Sequence, residues 1–109
     1  MARYIKSKWG SHLTLLDRKR FKVKILHFNA MYSCSLQRHE KRSELWLFLS
    51  GSGSFLKMKE GRKTRDAIVA GDYALVDKHE FHRFTAEQST WVLEVQFGDK
   101  CDEEDITRI

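Results

Sequence analysis

Ser35-Leu-Gln-Arg-His-Glu-Lys-Arg-Ser-Glu-Leu-Trp46 reads as strand, turn and strand, and that reading gathers three metal-seeking side chains. Gln37 and His39 lie two apart, so on a strand both point to one face. Glu44 falls just past the turn and can return to that face from the next strand. A second imidazole, His82, closes a later segment, Gly71-Asp-Tyr-Ala-Leu-Val-Asp-Lys-His-Glu-Phe-His82. A mixed nitrogen and oxygen donor set of this kind suits one borderline divalent ion, such as zinc, manganese, cobalt, nickel or iron.

Working outward, the same extended pattern continues. Phe21, Val23 and Ile25 alternate with Lys22 and Lys24, the period-two signature of a half-buried strand. Residues 31–37 alternate in the same way. Leu45 to Leu49 is an apolar run that predicts a strand buried on both faces, ending in a turn at Ser50-Gly-Ser-Gly53. Phe55, Leu56 and Met58 predict a return strand, followed by a polar loop at Glu60-Gly-Arg-Lys-Thr64. Further short strands are predicted at 67–69, 73–76 and 81–84. Trp91-Val-Leu-Glu-Val-Gln-Phe97 is the clearest of all, with Glu94 and Gln96 on one face, directed into a barrel. About seven or eight short strands and no helical stretch predict an all-β sandwich or barrel.

The 109 residues fit a single domain over 1–109, large enough to bury a core without staples. No apolar run is long enough to span a bilayer, and Met1-Ala-Arg-Tyr-Ile-Lys6 lacks the apolar region of a leader. Cys34 and Cys101 form no CxxC pair and read as reduced thiols, which predicts a cytoplasmic protein. The net charge of +5 gathers around residues 18–24, 38–42 and 57–65. Such a surface attracts anions, a sugar phosphate among them. No helix-turn-helix, zinc-finger or RRM-type signature accompanies it, so neither nucleic acid nor membrane is an expected partner.

The spacing Met31-x5-Gln37-x-His39-x4-Glu44-x6-Gly51 resembles the first motif of the cupins, and Gly71-x5-Asp77-x-His79-x2-His82-x3-Ala86 resembles the second. A closer resemblance is to the type II mannose-6-phosphate isomerase cupins, the domain often fused to mannose-1-phosphate guanylyltransferase. That family carries Trp-Gly near its start, as Trp9-Gly10, and S-L-Q-x-H-x-x-R-x-E-x-W, as Ser35 to Trp46. It also carries H-R, as His82-Arg83, and I-E-V-Q-x-G, as Leu93 to Gly98. Its closing E-D-D-I-V-R appears as Glu103 to Arg108.

This resemblance implies a cupin double-stranded β-helix (a jelly-roll barrel) with one divalent metal (Zn, Mn, Co or Ni) on Gln37, His39, Glu44 and His82. It implies interconversion of mannose 6-phosphate and fructose 6-phosphate through a cis-enediolate. Glu94 is the preferred carboxylate for proton transfer, and Lys24 and Arg42 are further catalytic candidates. Arg42, Arg108, Gln96 and Lys24 are expected to bind substrate, and the protein is expected to form a homodimer. Two alternatives stand beside this: a metal-binding cupin of other chemistry, and a non-catalytic module that binds a sugar or another anion. His12 and His79 are read as surface residues, and the acidic run 102–105 as a solvated end from which Arg108 folds back. Asp77 and His79 stand where the second motif has proline and glycine. A glycine position that accepts histidine is expected not to need a positive φ, which predicts a rebuilt loop before His82.

Overall fold

The computed structural model describes residues 4–109. Residues 1–3, part of the N-terminal stretch and of the 1–109 domain read above, lie outside the described residues. The strands are β1 (Ile5–Lys6), β2 (Gly10–Asp17), β3 (Phe21–Phe28), β4 (Gln37–Arg38), β5 (Arg42–Ser50), β6 (Ser52–Lys59), β7 (Arg62–Val69), β8 (Tyr73–Val76), β9 (Phe81–Ala86), β10 (Thr90–Gly98) and β11 (Thr107–Arg108). No helix occurs among the described residues. The strands build two antiparallel sheets that face each other as a jelly roll. One runs β1-β2-β3-β10-β5-β8 and the other β11-β4-β9-β6-β7.

The interior is divided along its length, and the division follows from residue choice at fixed register. In the six-stranded sheet Val92 pairs with Leu26 and Phe48, one pleat further on Glu94 pairs with Lys24 and Trp46, and beyond it Gln96 pairs with Lys22 and Glu44. One end of the barrel is therefore apolar and the other polar. Phe28, Trp46, Phe48, Phe55, Phe84 and Val92, each no more than 2% exposed, fill the apolar end. Their rings meet in edge and tilted contacts such as Phe28 on Phe84, with centroids 5.0 Å apart. This half supplies the hydrophobic stabilisation that tolerates a buried polar cluster at the other half.

Several strands differ from their sequence reading. In β3 the inward side chains are Lys22, Lys24, Leu26 and Phe28, while Phe21, Val23 and Ile25 face outward. Alternation shows that a strand has two faces; it does not say which one is inside when the interior itself is polar. Leu45 and Leu47 likewise lie outward and Leu49 is 53% exposed, so β5 is buried on one face only. Strand β2 escaped notice because a bulge between Thr14 and Leu16 breaks its alternation. The polar loop expected at 60–64 is a two-residue turn, Glu60 (φ 50°) and Gly61 (φ 77°), and Arg62 already begins β7. Within 31–37, only Ser33 makes an isolated bridge, to Thr85, before β4 begins at Gln37.

The Ser50–Gly53 turn is in fact a one-residue corner. Gly51 (φ 88°) carries the chain from β5 in one sheet to β6 in the other. A Cβ there would sit 2.3 Å from the Ser89 carbonyl oxygen, so only glycine fits.

Candidate metal centre

Two strands and a turn bring the donor atoms together. Glu44 comes from β5, His82 from β9, and His39 from the turn after β4, all buried at the polar end. Their donor atoms lie within 4.8 Å of one another. Glu44 Oε2 is 3.2 Å from His39 Nε2, and Glu44 Oε1 is 3.3 Å from His82 Nε2. Each imidazole is aimed by its other nitrogen. His39 Nδ1 donates to the Asp105 carbonyl (2.7 Å) and His82 Nδ1 to the Glu80 carbonyl (3.2 Å). A carbonyl only accepts, so both Nδ1 atoms carry hydrogen, and both Nε2 atoms are left for a proton or a metal ion. His82 Nε2 is buried with no hydrogen-bond partner. That orphaned atom, facing a carboxylate and a second imidazole, fits a divalent cation. Gln37 pairs directly with His82 across β4 and β9, so its amide shares that face.

Arg42 is woven into the same cluster. Its Nε donates to Glu44 Oε2 (3.0 Å), its Nη2 to His39 Nε2 (3.3 Å) and its Nη1 to the Asp102 carbonyl (3.0 Å). Trp46 Nε1 donates to Glu44 Oε1 (3.0 Å). Burial alone would raise the Glu44 carboxyl, but His39 and His82 outweigh it and hold it well below the usual carboxylate range. Burial lowers His82, yet the hydrogen bond and charge of Glu44 overcome that and raise it. A metal ion bound here would displace a proton.

Beside the cluster lies a cavity of about 210 Å³. Gln37, His39, Arg42, Glu44, Glu94, Gln96, Lys24 and Arg108 all line it, while His82 stands behind Glu44. The metal, catalytic and substrate-binding candidates named from the sequence thus line this cavity, apart from His82, which lies against Glu44. Glu94 is 6% exposed; burial first, and the Glu44 charge second, push its carboxyl up to about 7. Gln96 Nε2 donates to Glu94 (2.6 Å), leaving Gln96 Oε1 buried without a partner. Lys24 does not stand free, because its ammonium donates to Glu103 Oε1 (2.6 Å), which also accepts from Lys22 (3.1 Å).

The segment from Asp99 to Ile109 forms a strap across the cavity mouth, rather than a solvated end. Asp105 is its rivet: the carbonyl aims His39, and the carboxylate accepts from the Glu40 and Lys41 amides (both 2.9 Å). Strand β11 pairs with β4, and Arg108 Nε donates to Ser35 Oγ (3.3 Å). Glu103 and Asp105 went unnoticed as site residues because nothing local marks a partner so far away in sequence. His12, read as surface, also lines the cavity, and burial and then Lys24 lower its pKa. His79 corrects a further expectation. It adopts φ 67°, the left-handed conformation a glycine would take there. Its amide donates to the His39 carbonyl (2.8 Å) and its ring pairs with Glu40, contacts that offset the strain. The turn before His82 therefore keeps a glycine-like backbone despite the changed residue.

Glu103 offers a test of the strap. Burial opposes its ionisation, but Lys24 and Lys22 outweigh that and hold the carboxyl down at about 2, against 4.5 for a free glutamate. A depressed carboxylate contributes stability above pH 4.5 and loses it as pH falls toward 2. The side chain is 61% exposed, so solvent screens the pair. Glu103→Gln is expected to cost about 1 kcal/mol at pH 7, and almost nothing at pH 2, in paired thermal melts.

Comparison with known proteins agrees with the architecture. The family model described as Mannose-6-phosphate isomerase C-terminal matches residues 1–109. Oxalate decarboxylase from Bacillus subtilis superposes with a TM-score of 0.89 at 18% identity, over 99% of this chain and 30% of that one. The capsular polysaccharide assembling protein CapF from Staphylococcus aureus superposes with a TM-score of 0.82 at 12% identity, over 100% of this chain and 32% of that one. A further Bacillus subtilis oxalate decarboxylase structure, described for its Mn(II) centres, gives a TM-score of 0.85 at 16% identity, over 99% of this chain and 30% of that one. The chain spans about a third of the length of these structures, and at such identities they establish the fold. No curated protein sequence matches it. By fold, and by a family match that leaves no residue out, the chain belongs to the mannose-6-phosphate isomerase C-terminal family of cupins.

Proposed function

We propose that this chain is a metal-dependent aldose-ketose isomerase acting on a sugar phosphate, most directly mannose 6-phosphate to fructose 6-phosphate. The observation that carries the reading is Glu94. A buried carboxyl poised at about 7 shares one cavity with the His39, Glu44 and His82 donors. A group that must take up and return a proton works best with a pKa near the operating pH.

In this reading Glu94 accepts the proton from C2 of the open-chain aldose. The C–H pair becomes the C1–C2 double bond, and the carbonyl pair moves onto O1. Glu94 then returns the proton to C1 while the O2 hydroxyl gives up its proton to O1 and the C2 carbonyl forms. A divalent ion held by His39, Glu44 and His82, with Gln37 beside them, supplies Lewis-acid stabilisation of the developing oxyanion. Lys24, the cross-strand partner of Glu94, adds a cation at the same place. Gln96 Oε1 is free to accept from a sugar hydroxyl. Arg108 and Lys24 meet the phosphate once Glu103 yields, and Arg42 holds the ligand cluster in register.

The test is coupled detection of fructose 6-phosphate after reconstitution with Mn, Zn, Co or Ni. Turnover that needs the ion and fails in His39→Ala is expected. Metal-loaded protein without turnover, indistinguishable from His39→Ala, ends the isomerase reading. Oxygen uptake with iron points to another cupin chemistry. Glu103→Gln is expected to lower KM several-fold for a phosphorylated sugar and to leave an unphosphorylated one unchanged. Both cysteines are free thiols, which supports a cytoplasmic setting.

A further inference from the structure

The cations gathered over 57–65 lie on the hairpin of β6 and β7, and the cavity beside the metal centre uses none of them. Lys57, Lys59, Arg62, Lys63 and Arg65 stand there against one carboxylate, Glu60. Strand β7 is the last of its sheet, and Arg62 to Ala67 are all exposed. Its outward side continues in register onto β6 and β9. Arg65 and Arg83 flank Leu56, which is 5% exposed although it faces outward, and Lys63 and Phe81 flank Met58. Among the described residues Lys63, Arg65 and Arg83 form no ion pair.

The backbone of β7 shows which groups are free. Val69 turns both of its polar groups away from β6: its amide donates to Asp72 Oδ2 (2.9 Å) and its carbonyl accepts from the Asp72 amide (3.1 Å). Along an antiparallel strand these directions alternate. Ile68, Asp66 and Thr64 therefore bond to β6, while Ala67, Arg65 and Lys63 direct N–H and C=O to the outer edge. No loop backbone meets them among the described residues. Across from this edge runs β8, the last strand of the other sheet. A cavity of about 600 Å³ lies between, lined by Ala67 and Ile68 on one side and Tyr73 and Leu75 on the other. The Leu75 carbonyl is already engaged, accepting from Lys57 (3.1 Å). Strand β7 is thus the open edge.

We infer that the open edge of β7 docks an extended acidic segment of another protein, which adds to the sheet as an antiparallel strand. Main-chain hydrogen bonds to Lys63, Arg65 and Ala67 supply the grip, and side chains on the outward face set the choice. Carboxylates belong opposite Lys63 and Arg65, because cross-strand neighbours about 5 Å apart couple directly. Apolar residues belong opposite Ala67 and Val69, the latter 57% exposed. The segment therefore reads apolar-x-apolar-x-acidic-x-acidic from its N-terminus. A second copy of β7 is a poor occupant, since full antiparallel pairing about a two-fold axis sets Arg65 on Arg65 or Asp66 on Asp66. Cations on an edge strand deter such self-pairing, and the same charges steer an acidic partner toward it.

The experiment is fluorescence anisotropy of fluorescein-Thr-Val-Thr-Val-Thr-Glu-Thr-Glu-Thr-amide, titrated with the whole chain up to ~1 mM. Saturable binding with a Kd of order 100 μM is expected, weakening several-fold between ~50 and ~300 mM salt. Methylating the amide nitrogens of the second valine and the first glutamate, which face Ala67 and Arg65, is expected to weaken it about tenfold. Arg65→Glu is expected to lose this peptide and to bind one with lysine in place of the first glutamate, with circular dichroism and Tm as in wild type. No saturation by ~1 mM overturns the proposal. So does a methylated peptide that binds as well as the plain one, or an Arg65→Glu protein that keeps the acidic peptide. An oligothymidylate that binds more tightly than the peptide also overturns it and assigns the face to nucleic acid.

Discussion

Glu94→Gln is expected to reduce isomerase turnover about 10²–10⁴-fold and, in the same protein, to raise stability above pH 7. The two effects share one cause. Glu94 is buried with its carboxyl pushed up to about 7 from 4.5, so the native state holds this proton more tightly than the unfolded chain does. Between pH 4.5 and 7 the unfolded state ionises first, and stability falls as pH rises. Above pH 7 the native state bears the full cost of a buried carboxylate beside Glu44. Glutamine keeps the shape and the bond to Gln96 but never ionises. Metal-free Glu94→Gln should therefore gain about 2 kcal/mol at pH 8, seen as a Tm rise of order 10 °C. At pH 5 most of the gain should vanish. Retained turnover, or a loss of stability at pH 8, would mark Glu94 as a structural hydrogen-bond partner and not as the proton carrier.

Glu44→Gln should act in the opposite direction. Glu44 accepts from Arg42 and Trp46 and faces both imidazoles, so its charge compensates a guanidinium that is itself 5% exposed. Glutamine leaves that cation buried without a counter-charge, and breaking such a pair typically costs about 3–5 kcal/mol. Bound metal should fall to background in elemental analysis. His82→Ala separates the two roles: metal should again be lost, but the Arg42–Glu44 pair remains and the melting temperature should drop far less. A Glu44→Gln protein that keeps a full equivalent of metal, or melts like wild type, would contradict this account of the cluster.

The strand pattern and the Ser35–Trp46 spacing made most of this barrel legible, because both depend on local geometry. A period of two places Glu94 with Gln96 on β10, whereas His39 lies just past the end of β4 and reaches the cavity that Gln37 lines from the turn. Which face of β3 is inside was not legible: Phe21, Val23 and Ile25 face outward, while Lys22 and Lys24 share the inward face with Leu26 and Phe28. The strap was illegible for another cause. Glu103 meets Lys24 and Asp105 meets His39 across separations of 79 and 66 residues, and no propensity or spacing encodes such a meeting. His79 misled because the strain of a left-handed residue can be offset by contacts that only the folded chain provides.

The strap carries a practical consequence. The Ile109 amide donates to the Leu36 carbonyl (3.1 Å), so the last residue lies beside the strand that presents Gln37. Anything joined after Ile109 starts at the rim of the cavity, whether a polyhistidine tag or a fused partner. A histidine tag at that end would supply competing imidazoles within reach of the ion site and blur both metal counting and kinetics.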